Sequence, residues 1–156
     1  MPPRLQLARG ERLLASDVTS DGSAIAATTH RLVVSADDGL TSIGWANIER
    51  ATFDQESGQL VVVETADLAA RPHRHLLRVD APTVLDVIRE QVKASVVLTR
   101  HVALSNGTSV RVTARRLPES GAMAWTVGVD AGLDVSDPEI RGRIDSAIAA
   151  VRAELV

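Results

Sequence analysis

The sequence predicts an α+β fold built on a curled antiparallel sheet. Three observations carry this expectation. Six or seven short strand-like segments follow one another between residues 11 and 79, separated by polar turns that contain glycine. One amphipathic helix closes that run near residues 82–97, and a second strand-rich stretch ends in another amphipathic helix. Strands joined by tight turns make hairpins, and successive hairpins make antiparallel sheets with helices gathered to one side.

The opening strand is Glu11-Arg12-Leu13-Leu14-Ala15-Ser16, which runs into the turn Thr19-Ser20-Asp21-Gly22. Glycine there reaches positive φ without steric cost. Ser23 to Thr29 and Arg31 to Ser35 are small or β-branched segments, and Asp37-Asp38-Gly39 is the next turn. Leu40 to Trp45 follows, with Ile43 and Trp45 on one face by their two-residue spacing. Ala51 to Asp54 and Gln59 to Thr65 flank the hairpin loop Gln55-Glu56-Ser57-Gly58. Val61, Val62 and Val63 place the second of these strands near the sheet centre. Asp67 to Pro72 makes a longer connection, and His75 to Val79 is a further strand.

The closing helix starts at Pro82, where a missing N–H is harmless. Thr83 and Asp86 have the spacing of a capping box. Val84, Ile88, Val92 and Val96 recur every four residues beside Leu85, with Arg89, Glu90, Gln91 and Lys93 on the other side. Such a one-faced helix packs on a sheet. In the second half, Val96 to Leu104, Ser109 to Ala114 and Ala124 to Val129 read as strands, and Asn106-Gly107 is a strong hairpin turn. Ser136 and Glu139 form a capping box with Pro138 in the first turn, and Ile140, Ile144, Ile148, Val151 and Leu155 make the apolar stripe of the last helix. No solenoid repeat and no low-complexity linker separates residues 1–97 from 98–156, so the two parts are expected to pack together.

At 156 residues the chain suits one ordinary domain or two small ones. Trp45, Trp125 and Phe53 are its only aromatic residues, so the core must be aliphatic. The absence of cysteine excludes disulfides, thiolate metal sites and cysteine nucleophiles. Met1 to Ser16 lacks the apolar run of a secretory signal, and no stretch approaches the roughly 20 apolar residues of a membrane span. A soluble, cytoplasmic protein with no transmembrane segment is expected. The net charge is −3, and Lys93 is the single lysine among many arginines. That usage is typical of a GC-rich bacterial genome, which gives the arginines a compositional origin. A mildly acidic chain gains little from counterion release, so nucleic acid is not an expected partner.

Certain segments carry a family resemblance. They are Gly10-Glu11-Arg12-Leu13-Leu14, then Ala27-Thr28-Thr29-His30-Arg31-Leu32-Val33, then Ile43-Gly44-Trp45-Ala46-Asn47-Ile48, and finally the closing helix. With these, residues 1–97 resemble bacterial PH-like domains, including the GRAM-type subgroup. Residues 98–156 resemble actinobacterial proteins of unassigned function. The resemblance implies a curled, partly open antiparallel β-barrel of seven strands capped by one helix, used to hold proteins or lipids, with residues 98–156 as a strand–helix extension. Phosphoinositide-binding members carry basic residues around the first hairpin loop. Here that loop is Thr19-Ser20-Asp21-Gly22 with Asp17 before it, and acidic groups repel an anionic headgroup. Phosphoinositide binding is therefore not expected.

Several constellations compete for a chemical role. His73 and His75, with Arg71, Arg74 and Arg78, form the densest ionisable cluster. The two histidines could share a strand face and bind a metal with Asp67, but soft thiolates are absent and the spacing alone is weak, so a solvated connecting loop is the preferred account. His30 and His101 have no serine or carboxylate at a motif spacing, which argues against a catalytic base. Arg111, Thr113 and Arg115 share one strand face opposite Val110, Val112 and Ala114. With Arg116 they make the best basic stripe, and Arg111, Arg115 and Arg116 are the candidate partner-binding residues. The competing account is an exposed sheet face paired with nearby carboxylates. No aromatic is interleaved to stack bases. Asp130, Asp134, Asp137 and Glu139 cluster around Gly132, but the EF-hand pattern is not met and helix capping explains them. Trp45 and Trp125 suit core or subunit-contact positions. There is no glycine-rich phosphate loop and no G-x-S-x-G motif.

These features add up to a non-enzymatic interaction module that binds a protein partner or a second copy of itself, with no catalytic residue, metal or cofactor. One alternative is a carrier of a small apolar ligand or lipid in an aliphatic cavity. Another is an enzyme using His73, His75 or His101 as a base.

Overall fold

The structure, a computed structural model, describes residues 5–18, 22–36, 39–65, 73–104, 107–129 and 133–155. The chain runs β1 (Leu13–Val18), β2 (Ala24–Thr28), β3 (Arg31–Ala36), β4 (Gly39–Gly44), a 3-10 turn (Trp45–Asn47), β5 (Ile48–Asp54), β6 (Gln59–Glu64) and β7 (Arg74–Arg78). Then come α1 (Pro82–Ser95), β8 (Val96–Ala103), β9 (Ser109–Arg116), β10 (Met123–Val129) and α2 (Pro138–Ala153). The fold is α+β. Its strands form three antiparallel sheets, ordered β1-β2-β3-β4, β5-β6-β7 and β10-β9-β8. No ladder joins the first two sheets among the described residues, so the curled sheet is split and no closed barrel forms.

The hairpins follow from the turns. Gly58 adopts φ 70° between β5 and β6, and Gly107 adopts φ 71° between β8 and β9, conformations that a side chain would strain. The predicted turn residues Thr19 to Asp21, Asp37-Asp38 and Asn106, and the connection 67–72, lie outside the described residues.

Register sorts the side chains onto two faces. Ala27 faces Leu32 and Leu32 faces Ile43, which aligns these three buried residues of β2, β3 and β4 on one side. Across from them, β5 and β6 supply Ile48, Leu60 and Val62, and α1 inserts Val84, Leu85 and Ile88. Trp45, fully buried, sits among them. A second cluster joins Val110 and Val112 of β9 to Ile144, Ala147 and Val151 of α2. The two clusters are separate.

Both helix caps differ from the sequence expectation, for one reason. Proline occupies the first helical position in each, and its fixed φ makes the preceding residue the cap. In α1 that residue is Ala81, so the Thr83–Asp86 box does not form and no side chain caps the helix. In α2 it is Asp137, which accepts the Glu139 N–H at 2.9 Å, while the Ser136 hydroxyl bonds to Asp134 instead. Val96 and Leu155, expected on the helical stripes, fall past the helix ends and are exposed. No helix among the described residues is long and apolar enough to cross a membrane.

Candidate functional site

A buried polar network locks the corner where β1, β2, β3 and the 3-10 turn meet. The Glu11 side chain is only 1% exposed. It accepts from the Thr28 hydroxyl at 2.6 Å, from Arg31 Nε at 2.9 Å and from the Ala8 N–H at 2.9 Å. Arg31 also donates to Ser42 Oγ and to the Gln6 carbonyl, both at 2.8 Å. Trp45 Nε1 donates to the Thr28 carbonyl at 2.8 Å. Burial alone would raise the Glu11 pKa, but the bonds from Arg31, Thr28 and Ala8 override it and lower the value to about 2. Every member is occupied with another, so the network fixes geometry rather than offering a reactive group. His30 belongs to the same corner through its backbone, which donates to Thr28 Oγ1 and accepts from Trp45 N–H.

The basic stripe divides. Arg115 is 4% exposed, its guanidinium turned inward to Thr126 Oγ1 at 2.6 Å and to the Glu49 carbonyl at 3.5 Å. Burial, with Arg111 adding repulsion against the opposing pull of Glu49, lowers its pKa. Arg111 pairs with the Glu49 carboxylate at 3.1 Å. Thr113 is buried beside them. This face of β9 therefore meets β5 of the same chain, and of the three arginines only Arg116 is both exposed and outside that contact. The opposite face, Val110 and Val112, packs on α2 as the strand alternation requires.

The outer face of the β1–β4 sheet is unusual. Register places Ser16, Val18, Ala24, Ala26, Val33, Ser35 and Leu40 on the side away from the core. With Leu5 and Leu13 these line a groove of about 420 Å³. Its floor is small and its rim apolar, with Val18 64%, Leu13 49% and Leu40 47% exposed. Asp17 is the one ionisable residue at its edge; it pairs with Ile25 in the β1–β2 ladder, so its side chain takes the core side, where its Oδ2 is buried without a hydrogen-bond partner among the described residues. Alternation in β2 and β3 could have signalled this face, because the positions that should be polar are alanine, serine and valine.

His73 and His75 come together with Glu64 of β6. Glu64 Oε2 lies 2.8 Å from His75 Nε2 and 3.4 Å from His73 Nδ1. Sequence reasoning missed Glu64, since only the β6–β7 register brings it near. Asp67 and Arg71 lie outside the described residues. Arg74 and Arg78 alternate with the histidines and so project from the other face, Arg78 pairing with Asp80 at 3.4 Å. His101 is exposed on β8, opposite Arg111. Among the acidic residues near α2, Asp134 accepts from Ser136 and Asp137 caps the helix, while Asp130 and Gly132 lie outside the described residues. Trp125 packs on the α2 cluster with the Arg152 guanidinium 5.4 Å from its ring.

Comparison with family models, curated proteins and solved structures gives no match to any of the three.

Proposed function

We propose that this chain is a non-enzymatic PH-like interaction module that docks a protein partner on the outer face of its β1–β4 sheet. The observation that carries the reading is the apolar groove, because a sheet face turned away from the core is ordinarily polar. The PH-like assignment is supported by two further features. Seven strands in a four-plus-three arrangement precede α1. Four of the residues in the segments that carry the family resemblance, Glu11, Thr28, Arg31 and Trp45, belong to the one corner network. On this reading Arg111 and Arg115 dock the second half onto the first, and Arg116 is the arginine of the stripe that remains for a partner.

The test compares the wild-type chain with Val18→Asp/Leu40→Asp in sedimentation velocity and in affinity capture from the source organism. Both side chains are exposed, so the variant should fold. The reading requires self-association, or capture of one defined protein, that disappears in the double variant. A monomer whose captured proteins are the same with and without the two aspartates would refute it. A second reading, a carrier of a small apolar ligand, is favoured by the volume of the groove, about 420 Å³, and its apolar rim. A stoichiometric organic compound extracted from the wild-type chain and absent from the double variant would establish that reading instead.

A further inference from the structure

We propose that Glu64, His73 and His75 form a binding site for a divalent transition-metal ion of the zinc, nickel and copper class. Strand pairing builds it. In the β6–β7 ladder Val63 faces Arg74 and Val62 faces His75, so Glu64 falls opposite His73, and its N–H donates to the His73 carbonyl at 2.9 Å. Opposed residues project from the same face, and His75 is two residues along that face. All three side chains therefore point to one side of the ladder.

Their separations match what a metal needs. The ligating atoms lie within 4.8 Å of one another, with Glu64 Oε2 at 2.8 and 3.4 Å from the two imidazole nitrogens. With metal–ligand bonds of about 2.0–2.1 Å, tetrahedral ligand atoms sit ~3.3 Å apart. A single ion bridges the three groups once side-chain rotation closes separations of up to 4.8 Å to that spacing. The imidazole rings stand 4.4 Å apart at a tilt of 31°, side by side. Hydrogen bonding to Glu64 explains the position of His75, and the second imidazole, with its Nδ1 at 3.4 Å from the same oxygen, supplies the third donor atom that a metal site needs. Two imidazoles and one carboxylate favour zinc, nickel or copper over calcium or magnesium, which prefer oxygen.

Exposure is graded across the site. The side chains of His75 and Glu64 are 15% and 27% exposed and that of His73 is 73% exposed. The inner two are held by the sheet, while the outer one leaves the ion open to water. Three protein ligands with a free position bind a metal reversibly and leave room for a further donor. The site lies at the end of the β6–β7 ladder, on a different sheet from the apolar groove, and does not depend on the function proposed above.

The test uses the untagged, chelator-treated full chain. Zn²⁺ and Ni²⁺ are titrated by calorimetry, and Co²⁺ by its visible absorption. We expect one equivalent bound, imidazole-type Co²⁺ bands, and a higher melting temperature with Zn²⁺. His73→Gln and Glu64→Gln should each weaken binding by about tenfold or more, and His73→Gln, at an exposed position, should keep the fold by circular dichroism. His30→Gln and His101→Gln should bind as the wild type does. No binding at ~1 mM metal, the weak end of protein metal affinities, would overturn the proposal. So would a one-equivalent isotherm that survives in His73→Gln/His75→Gln.

Discussion

The two halves of the molecule share a plan, a meander of antiparallel strands closed by a helix, yet they are held together by different means. In the first half two sheets pack with α1, and eleven described aliphatic residues form one buried cluster around Trp45. In the second half a single three-stranded sheet meets α2 on one face only, and six described residues suffice for its cluster. The other face of that sheet carries Arg111, Thr113 and Arg115 and meets Glu49 of the first half. Small units bury a smaller fraction of their surface and are correspondingly marginal. The difference teaches that the first half keeps its larger apolar cluster within itself, whereas the second has a smaller cluster and turns a polar face to the first half.

The largest effects should come from emptying each core. Ile88 and Ile144 are both fully buried, one per cluster. Replacing either with alanine should cost about 2–5 kcal/mol. The two tryptophans report on the halves separately, since Trp45 lies in the first cluster and Trp125 packs on the second. In a Trp125→Phe background, fluorescence follows Trp45 alone. Ile88→Ala should lower the urea midpoint of both tryptophans, because losing the first half removes the platform for the second. Ile144→Ala should lower the Trp125 midpoint and leave that of Trp45 in place. Equal shifts of both signals in Ile144→Ala would break the comparison and make the chain one cooperative unit.

A second contrast is acid sensitivity. Burial by itself would raise the Glu11 pKa; the bonds from Arg31, Thr28 and Ala8 bring it instead from the ordinary 4.5 to about 2. A carboxylate depressed in the folded state contributes stability that is complete above the unfolded value of 4.5 and lost as pH falls through about 2. The contribution is on the order of 3 kcal/mol. Urea midpoints of the Trp45 signal should therefore fall steeply between pH 4.5 and 2. In Glu11→Gln the midpoint at pH 7 should be lower from the start, and the slope across that window shallower. A wild-type slope unchanged by Glu11→Gln would show that another carboxylate governs acid unfolding.

Much of the first half could be read from local pattern. Every predicted strand between Glu11 and Val79 is present to within a few residues, because turn chemistry and β-branched segments act over short distances. The helices were equally plain, though both caps were misplaced: the Thr83 and Ser136 spacings fitted a capping box, while Pro82 and Pro138 set the true first residue. The candidate sites were harder. Arg111 and Arg115 lie on one strand face as alternation says, but what that face meets is Glu49, more than sixty residues earlier in the chain. His73 and His75 were visible as a pair, yet Glu64 joins them only through the β6–β7 register. Local periodicity fixes which face a residue takes, and only tertiary pairing fixes what lies across from it.

The smallest effects belong to the contact between the halves, and they decide what kind of tie it is. Arg111 and Glu49 remain 46% and 28% exposed at their side chains, so water screens the pair. Arg111→Ala should cost no more than about 1 kcal/mol. Arg115 is the more informative position. Its Nε finds no partner among the described residues, and burial lowers its pKa, so the charge is held at a desolvation cost. A buried ion pair replaced whole by apolar side chains is often neutral or stabilising, and losing Arg115 strands no carboxylate, because that of Glu49 stays paired with Arg111. Arg115→Met should accordingly leave the Trp125 midpoint within about 1 kcal/mol of wild type, whereas Arg115→Ala, which opens a cavity, should lower it. If Arg115→Met instead destabilises the second half as much as Ile144→Ala does, the hydrogen bonds to Thr126 and Glu49 outweigh the desolvation. The second half would then be held chiefly by its polar face and not by α2.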